Sequence, residues 1–296
     1  MSTSATGSTL ARRMLGRALK RLREGAGVPP KEAAKAIRVS AQTLWRIETG
    51  QQGPKLKELY VEALCKLYGA APDETRVLTG LVELAEQRSW WQPYGDAFPG
   101  DFALFIGLEE IAREMTTFQP TLMPGLLQTA EYRRAGVWAL EPQASPTEVE
   151  RNVELTIRRQ RRLREDSENF TMHALLCESV LRHPVGGPSV MGRQLRHLEQ
   201  VSELPNVTLR VVPLSAGMHI GLQMGSFVLL EFPEHSSPYL SEPPMVYVDG
   251  YLGSLYMERE NEIRQCRQGI VGIRRVALEE GASRELVARI AREYEG

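Results

Sequence analysis

Apolar residues recur at helical spacing along the first third of the chain. Leu15, Ala18, Leu19 and Leu22 line one face of a first helix, which Gly25 and Gly27 stop. Pro29 and Pro30 suit the opening turn of a second helix over residues 31–37, with Ala33, Ala34 and Ile37 inward. Val39-Ser40 forms a turn. Ser40 is placed to cap a third helix, Ala41–Glu48, and Gly50 ends it. Leu56, Leu59, Tyr60, Ala63, Leu64 and Leu67 mark a fourth helix, closed by Gly69. A fifth, over 73–86, turns Val77, Leu78, Leu81, Val82 and Ala85 inward.

Residues 89–100 (SWWQPYGDAFPG) break this pattern with proline and glycine. Trp90, Trp91, Tyr94 and Phe98 make the break too apolar for a free linker, so it is expected to dock on the body or on a second subunit. A helix is expected over 102–118, then a proline-punctuated turn, then a helix capped by Thr129 and running to Ala135. Ser145-Pro146-Thr147-Glu148 is a capping box that starts a helix reaching about Leu163. Val149, Val153, Ile157, Gln160 and Leu163 share its inner face. Its last turns hold Arg158, Arg159, Arg161, Arg162 and Arg164. These either grip phosphates or an acidic partner, or form a solvated helix end. The second reading is favoured, because Glu148, Glu150 and Glu154 at the other end complete a dipole pattern.

From Phe170 the period changes to two. Strands are expected over 170–176, 207–212, 226–232, 245–248 and 251–257, with a turn at Asp249-Gly250. Helices are expected over 189–201 and 260–278, and a last one capped by Ser283 and ending near Tyr294. The chain therefore divides into a disordered tail (1–9), an α-helical head (10–88), a linking segment (89–100) and an α+β body (101–296). The body would carry a small mixed or antiparallel sheet covered by helices.

Charge sharpens this division. The net charge of -1 hides an asymmetry: residues 1–70 hold 13 Lys/Arg against 5 Asp/Glu, and the rest hold 23 against 32. All the lysines lie in the head. A basic head on an acidic body locates a nucleic-acid signal in the head. The three cysteines (Cys65, Cys177, Cys266) are scattered without a C-x-x-C, and the N-terminus lacks an apolar core after a basic stretch. A reduced cytoplasmic location is therefore expected, with no disulfide framework and no zinc site. The run 211–230 is too polar and too broken by Pro213, Gly217, Gly221 and Gly225 for a membrane span.

Two short helices joined by a tight turn inside a basic helical unit is the layout of a helix-turn-helix, whose second helix enters the major groove. The segment 27–50, GVPPKEAAKAIRVSAQTLWRIETG, resembles the Xre family of lambda-repressor-like helix-turn-helix domains. The resemblance covers about the first 70–80 residues and is strongest over Thr43–Gly50. It implies that Ala41, Gln42, Thr43 and Arg46 face the groove, with Gln42 suited to adenine and Arg46 to guanine. Trp45 would pack on the sugar-phosphate backbone. Lys31, Gln51, Gln52, Lys55 and Lys57 are candidate phosphate contacts. It further implies that Glu48 pairs with Arg23 and braces the recognition helix. The family often has Gln at the start of its second helix, where Pro30 stands here, so that contact is absent or taken by Lys31.

The body also resembles a described domain. PGLLQT-x-E-Y (124–132), the Arg158–Leu163 run, Q-L-x-x-L (194–198), Pro205-Asn206-Val207, V-V-P-L-x-A-G (211–217) and G-x-F-x-L-L match a domain of unknown function. That domain follows the helix-turn-helix in actinobacterial, antitoxin-like Xre regulators such as the WhiJ-like proteins. The resemblance implies a transcription factor with a small partner protein encoded nearby.

No G-x-S-x-G, G-x-x-x-x-G-K or G-x-G-x-x-G occurs, and the five histidines lack metal-ligand spacing, so neither a cofactor nor a catalytic centre is expected. A faint similarity to phospholipase-D-like sensor domains lacks their H-x-K-x-x-x-x-D signature. The glycine-rich stretch 216–225, with Gly217, His219 and Gly221, reads as a flexible loop between strands or as a loop at a ligand or partner site.

Three functions follow in order. The first is a sequence-specific regulator binding double-stranded DNA as a homodimer, with the body dimerising and sensing. The second is an antitoxin-like protein that sequesters a small partner, with DNA binding for autoregulation. The last is an enzyme or sensor with a buried polar pocket near His219 and Cys177-Glu178.

Overall fold

A computed structural model describes residues 9–51, 54–86, 90, 91, 93, 94, 102–234, 241–251 and 253–296. The expected disordered tail, Gln52, Phe98 and His235 lie outside them, apart from the backbone of Thr9. The chain divides into two compact units. One holds 1–93 with the short stretches 106–108 and 233–242; the other holds 94–105, 109–232 and 243–296.

The first unit contains the helices α1 (Thr9–Gly25), α2 (Pro30–Ala36), α3 (Ala41–Glu48), α4 (Glu58–Tyr68) and α5 (Pro72–Glu86). Their apolar stripes meet in one core around Leu15, Leu19, Leu44, Leu64 and Leu78. Two apolar positions at helical spacing miss that core. Val77, expected inward, is 40% exposed, and Leu59 lies open to solvent. In each helix the inner face is already filled by other residues: Leu78, Leu81 and Val82 in α5, and Val61 and Leu64 in α4.

Helices α1 to α4 end alike. Past each end one residue donates to the carbonyl three residues back, and the next donates to the carbonyl five residues back: Val28 to Arg23, Val39 to Ala34, Gln51 to Arg46 and Ala70 to Cys65. The pivot is left-handed. It is Gly27, Gly50 or Gly69 in three cases and Arg38, at φ 56, in the fourth.

The second unit is built on a six-stranded mixed sheet in the order β3-β2-β1-β4-β5-β6. Its strands are β1 (Glu114–Gln119), β2 (Thr171–Cys177), β3 (Val207–Val212), β4 (Phe227–Glu231), β5 (Met245–Gly250) and β6 (Gly253–Met257). β1, β2 and β3 run parallel, in the register Thr116 to His173 to Thr208, and β4, β5 and β6 add antiparallel. The parallel strands need helical crossovers. These are α7 (Ala130–Leu140), α8 (Pro146–Gln160) and α9 (Arg162–Glu165) between β1 and β2, and α10 (Glu178–Arg182) and α11 (Pro188–Val201) between β2 and β3. Before the sheet stands α6 (Phe102–Ile111), after β3 the short α12 (Ile220–Met224), and at the end α13 (Glu260–Val276) and α14 (Glu280–Glu295).

The structure corrects the sequence reading in several places. The single helix expected over 102–118 is α6 followed by β1, the central strand. Thr116 and Thr117 are buried between β2 and β4, and β-branched residues suit that setting better than a helix. Thr129 does cap a helix, accepting from Tyr132 N–H, but α7 continues to Leu140. Ser283 is not a cap. It is buried inside α14, where its hydroxyl accepts from Val211 N–H at 2.9 Å and donates to the Leu278 carbonyl. Ile157 of α8 points outward, 43% exposed, while Asn152, Leu155 and Thr156 are inward.

The arginine run is not simply a solvated end. Arg159 makes a two-pronged bond to buried Glu109, 2.7 Å on each prong, and lies over the rings of Phe102 and Phe105. Arg162 donates to the Ala112 carbonyl and covers the Phe170 ring at 4.1 Å. Arg158, Arg161 and Arg164 are exposed.

Candidate nucleic-acid interface

The third helix is short, capped and held at both ends. Ser40 Oγ accepts from Thr43 N–H at 3.0 Å and lies 2.9 Å from the Thr43 hydroxyl, which fixes the first turn. Leu44 and Ile47 are buried, so the helix has one inward stripe. Its far end rests on α1. A Cβ at Gly16 would collide with the Ile47 carbonyl, and one at Gly50, whose φ is +68, would fall 2.6 Å from Arg13 Cα. Only glycine lets the two helices approach this closely.

Glu48 is buried at the same point. Arg23 Nε donates to its Oε1 at 2.6 Å and Nη2 to its Oε2 at 2.9 Å, while Arg23 Nη1 reaches the Val28 carbonyl. A forked guanidinium matches both carboxylate oxygens, so the pair sets the rotation of α3 as well as its position. The carboxylate holds the Arg23 proton more tightly than usual, and burial raises the Tyr68 phenol nearby.

The outward side of α3 shows Ala41, Gln42 and Arg46 to solvent, with Trp45 52% exposed and Thr43 half-buried. Lys31, Gln51, Lys55 and Lys57 are exposed as well, and Lys57 lies 5.2 Å from the Tyr60 ring centre. Two exposed cations outside the sequence expectation stand where α2 ends, Lys35 in its last turn and Arg38 just past it. Only their positive charge could have flagged them. Three further arginines of α1 brace this unit. Arg12 is buried and binds the Pro54 carbonyl at 3.0 Å and Glu86 at 2.6 Å. Arg13 and Arg17 both donate to buried Glu242, which the distant stretch 233–242 brings into the same unit. No local pattern announces either contact.

An exposed, cationic, amide-bearing helix held rigidly on its scaffold is what base reading in a major groove requires. The comparison with protein families agrees. Residues 14–78 match a helix-turn-helix domain. Residues 102–289 match DUF5753, a domain of unknown function, and they make up most of the chain. The chain belongs to the DUF5753 family. No curated protein and no solved structure matches it.

The glycine-rich stretch of the DUF5753 domain is not wholly a loop, because it holds α12. His219 stands at the helix start, its ring edge-on to Phe118 at 6.2 Å. Gly221 lies so close to Phe118 that a Cβ would sit 2.6 Å from the ring. Gly217 stays exposed at φ +63. Both oxygens of Glu178 are occupied, one by Leu214 N–H at 2.9 Å and the other by Arg182 at 2.8 Å. Burial opposes the Glu178 charge, yet these bonds hold its carboxyl below the usual value. Glu178 thus acts as a structural brace between β2 and the loop after β3. Among the described residues no three His, Cys, Asp or Glu side chains converge on a metal position, and no helix is long and apolar enough to cross a membrane.

Proposed function

We propose that this DUF5753 protein is a sequence-specific regulator of transcription that binds double-stranded DNA as a homodimer. In this reading α3 lies in the major groove. Gln42 and Arg46 read bases, Ala41, Thr43 and Trp45 pack beside them, and Lys31, Gln51, Gln52 and Lys55 hold phosphates. The observation that carries it is the division of α3 into two sides: Leu44, Ile47 and Glu48 locked onto α1, and Gln42, Trp45 and Arg46 left open. The DUF5753 domain supplies dimerisation and senses a ligand or partner. That sensing needs an effector which prefers one arrangement of the two heads.

The test is selection of bound sequences from randomised duplex DNA, with the full-length protein and with a chain ending at Ser89. An inverted repeat enriched by the full chain, and weakened or lost in the short one, supports both halves of the proposal. Binding that is only salt-sensitive and unselective overturns it.

A second reading has its own support. Leu214, Met218 and Leu222, close together in sequence, are 62%, 81% and 53% exposed, and exposed apolar clusters mark protein contacts. They suit an antitoxin-like role in which the domain captures a small protein encoded nearby. A stable complex on co-expression would favour it, and failure to retain that neighbour would remove it.

A further inference from the structure

Helix α13 covers one face of the sheet incompletely. Its Ile263, Cys266, Ile270 and Ile273 pack on Phe118, Leu175, Phe227, Leu229 and Val246. Towards the β6 edge the cover stops: Val248 and Met257 are half-buried and Leu255 is 54% exposed. Between α12, α13 and strands β4 to β6 lies a cavity of about 540 Å³. Its walls are Met224, Phe227, Val246, Val248, Met257 and Cys266, with polar groups only from Glu262, Gln265 and Gln268 of α13.

The cavity is shaped by glycine. A Cβ at Gly269 would run into the Met224 sulfur, and one at Gly272 would fall 2.8 Å from Ile220. Those two positions on α13 are therefore recesses into which α12 sinks its side chains, making α12 one wall. Gly217 and Gly225 bracket that wall, both at positive φ.

We infer that this cavity binds an uncharged, mainly hydrocarbon small molecule carrying one hydroxyl or carbonyl. The volume falls in the range of small-molecule sites, which runs from about 300 to 1,000 Å³. Phe227, Val246 and Cys266 at its floor are nearly closed to water, and the space opens to solvent past Ile220, Val248 and Met257, with Gln265 and Gln268 exposed at the mouth, so a guest rests its apolar part on the floor and its polar group at the opening. Met224 and Met257 are unbranched and polarizable, and adapt to an apolar guest. No Lys or Arg lines the space, so an anion finds no partner. Glu262 is committed to the Arg259 N–H in the capping box of α13. The two glutamine amides remain for a single neutral polar group. Burial pushes the Cys266 thiol up to about 11, in keeping with an apolar wall.

The inference deepens the sensing part of the proposed function. It is read without DNA, so failure of DNA binding leaves it intact. Full-length protein is titrated with N-phenyl-1-naphthylamine, an uncharged dye that brightens in apolar sites, and the dye is then displaced by 1-octanol or by octanoate. One saturable site, displaced by octanol at concentrations at least tenfold below octanoate, is the expected result. Val248→Trp and Met257→Trp fill the space and should weaken dye binding at least tenfold. Met218→Ser with Leu222→Ser, at exposed positions just before α12 and on its outer side that do not line the cavity, should leave it unchanged.

Should the tryptophan variants fail to fold, methyl-labelled methionine spectra of the unaltered protein decide instead. Octanol should move the Met224 and Met257 signals. Absence of saturable binding, equal displacement by octanoate, loss of binding in the Met218/Leu222 variant, or unmoved Met224 and Met257 signals would each overturn the inference.

Discussion

Arg46 and Glu48 stand two positions apart on α3 and meet opposite surroundings. Arg46 is exposed; Glu48 is buried against Arg23. Their loss should therefore appear in different measurements. Arg46→Ala should leave the melting temperature unchanged, relax discrimination at one base pair and cost about 1–3 kcal/mol of specific binding. Glu48→Ala strands a buried guanidinium and should cost the head about 3–5 kcal/mol of stability, read by denaturant unfolding.

Two histidines make stability depend on pH. Burial holds His173 below its ordinary value, and burial with the Arg164 charge does the same for His197. Above the ordinary histidine value near 6.5 both are neutral folded and unfolded, and their contribution is complete. As pH falls through that value the unfolded chain takes up protons that the folded chain refuses, so stability drops. The melting temperature should fall between pH 7 and 5.5. The double variant His173→Gln, His197→Gln should show a smaller fall.

At the scale of elements, helix ends carried much of what the sequence made legible. Ser40, Ser145 and Thr129 each cap the helix that follows, because a hydroxyl three residues ahead of an open N–H is a local device. The left-handed helix ends at Gly27, Gly50 and Gly69 were equally readable. Arg38 in the same role was not, since nothing in its side chain favours positive φ.

Two of these glycines separate conformation from contact. An added Cβ at Gly27 meets open space, whereas at Gly50 it meets the backbone of α1. Gly27→Ala should cost about 1–2 kcal/mol, the strain of the left-handed region alone. Gly50→Ala should cost more and should also weaken DNA binding, because it displaces the end of α3. Comparing melting temperature and DNA affinity for the pair checks this.

At the scale of the whole molecule, the strands from β2 to β6 were visible and β1 was not. The β5–β6 hairpin was legible as two strands, although Asp249 and Gly250, read from the sequence as its turn, belong to β5 and pair with Ser254 and Gly253, so the turn falls later, at Tyr251. β1 is short, buried on both faces and continues the apolar run of α6, so its pattern matches a helix equally well. The expected mixed sheet is present, but its centre was the part concealed. The same limit applies to the arginines: Arg159 and Arg162 look like neighbours on a charged surface, and only the distant Glu109 and Phe170 draw them inward. The partition of α3 into read and braced sides needed no distant partner beyond Arg23, and so the candidate interface was more legible than the body's core.

The position of β1 also bears on how the chain is made. Its two neighbours are Thr171–Cys177, and Phe227–Glu231 more than a hundred residues downstream. The five head helices, whose apolar core is drawn from residues 11–85, can close as they leave the ribosome, before Glu242 arrives to join Arg13 and Arg17. The strand at the heart of the sheet must wait, with one flank unpaired, until most of the protein has been translated. A chain released after residue 215 should therefore keep a folded head and aggregate through the open flank of β1, whereas one released after residue 234 should lose much of that tendency. Light scattering of the two truncated products, with the helical signal of the head as internal reference, would show whether translation must reach β4 before the molecule is safe from its own sheet.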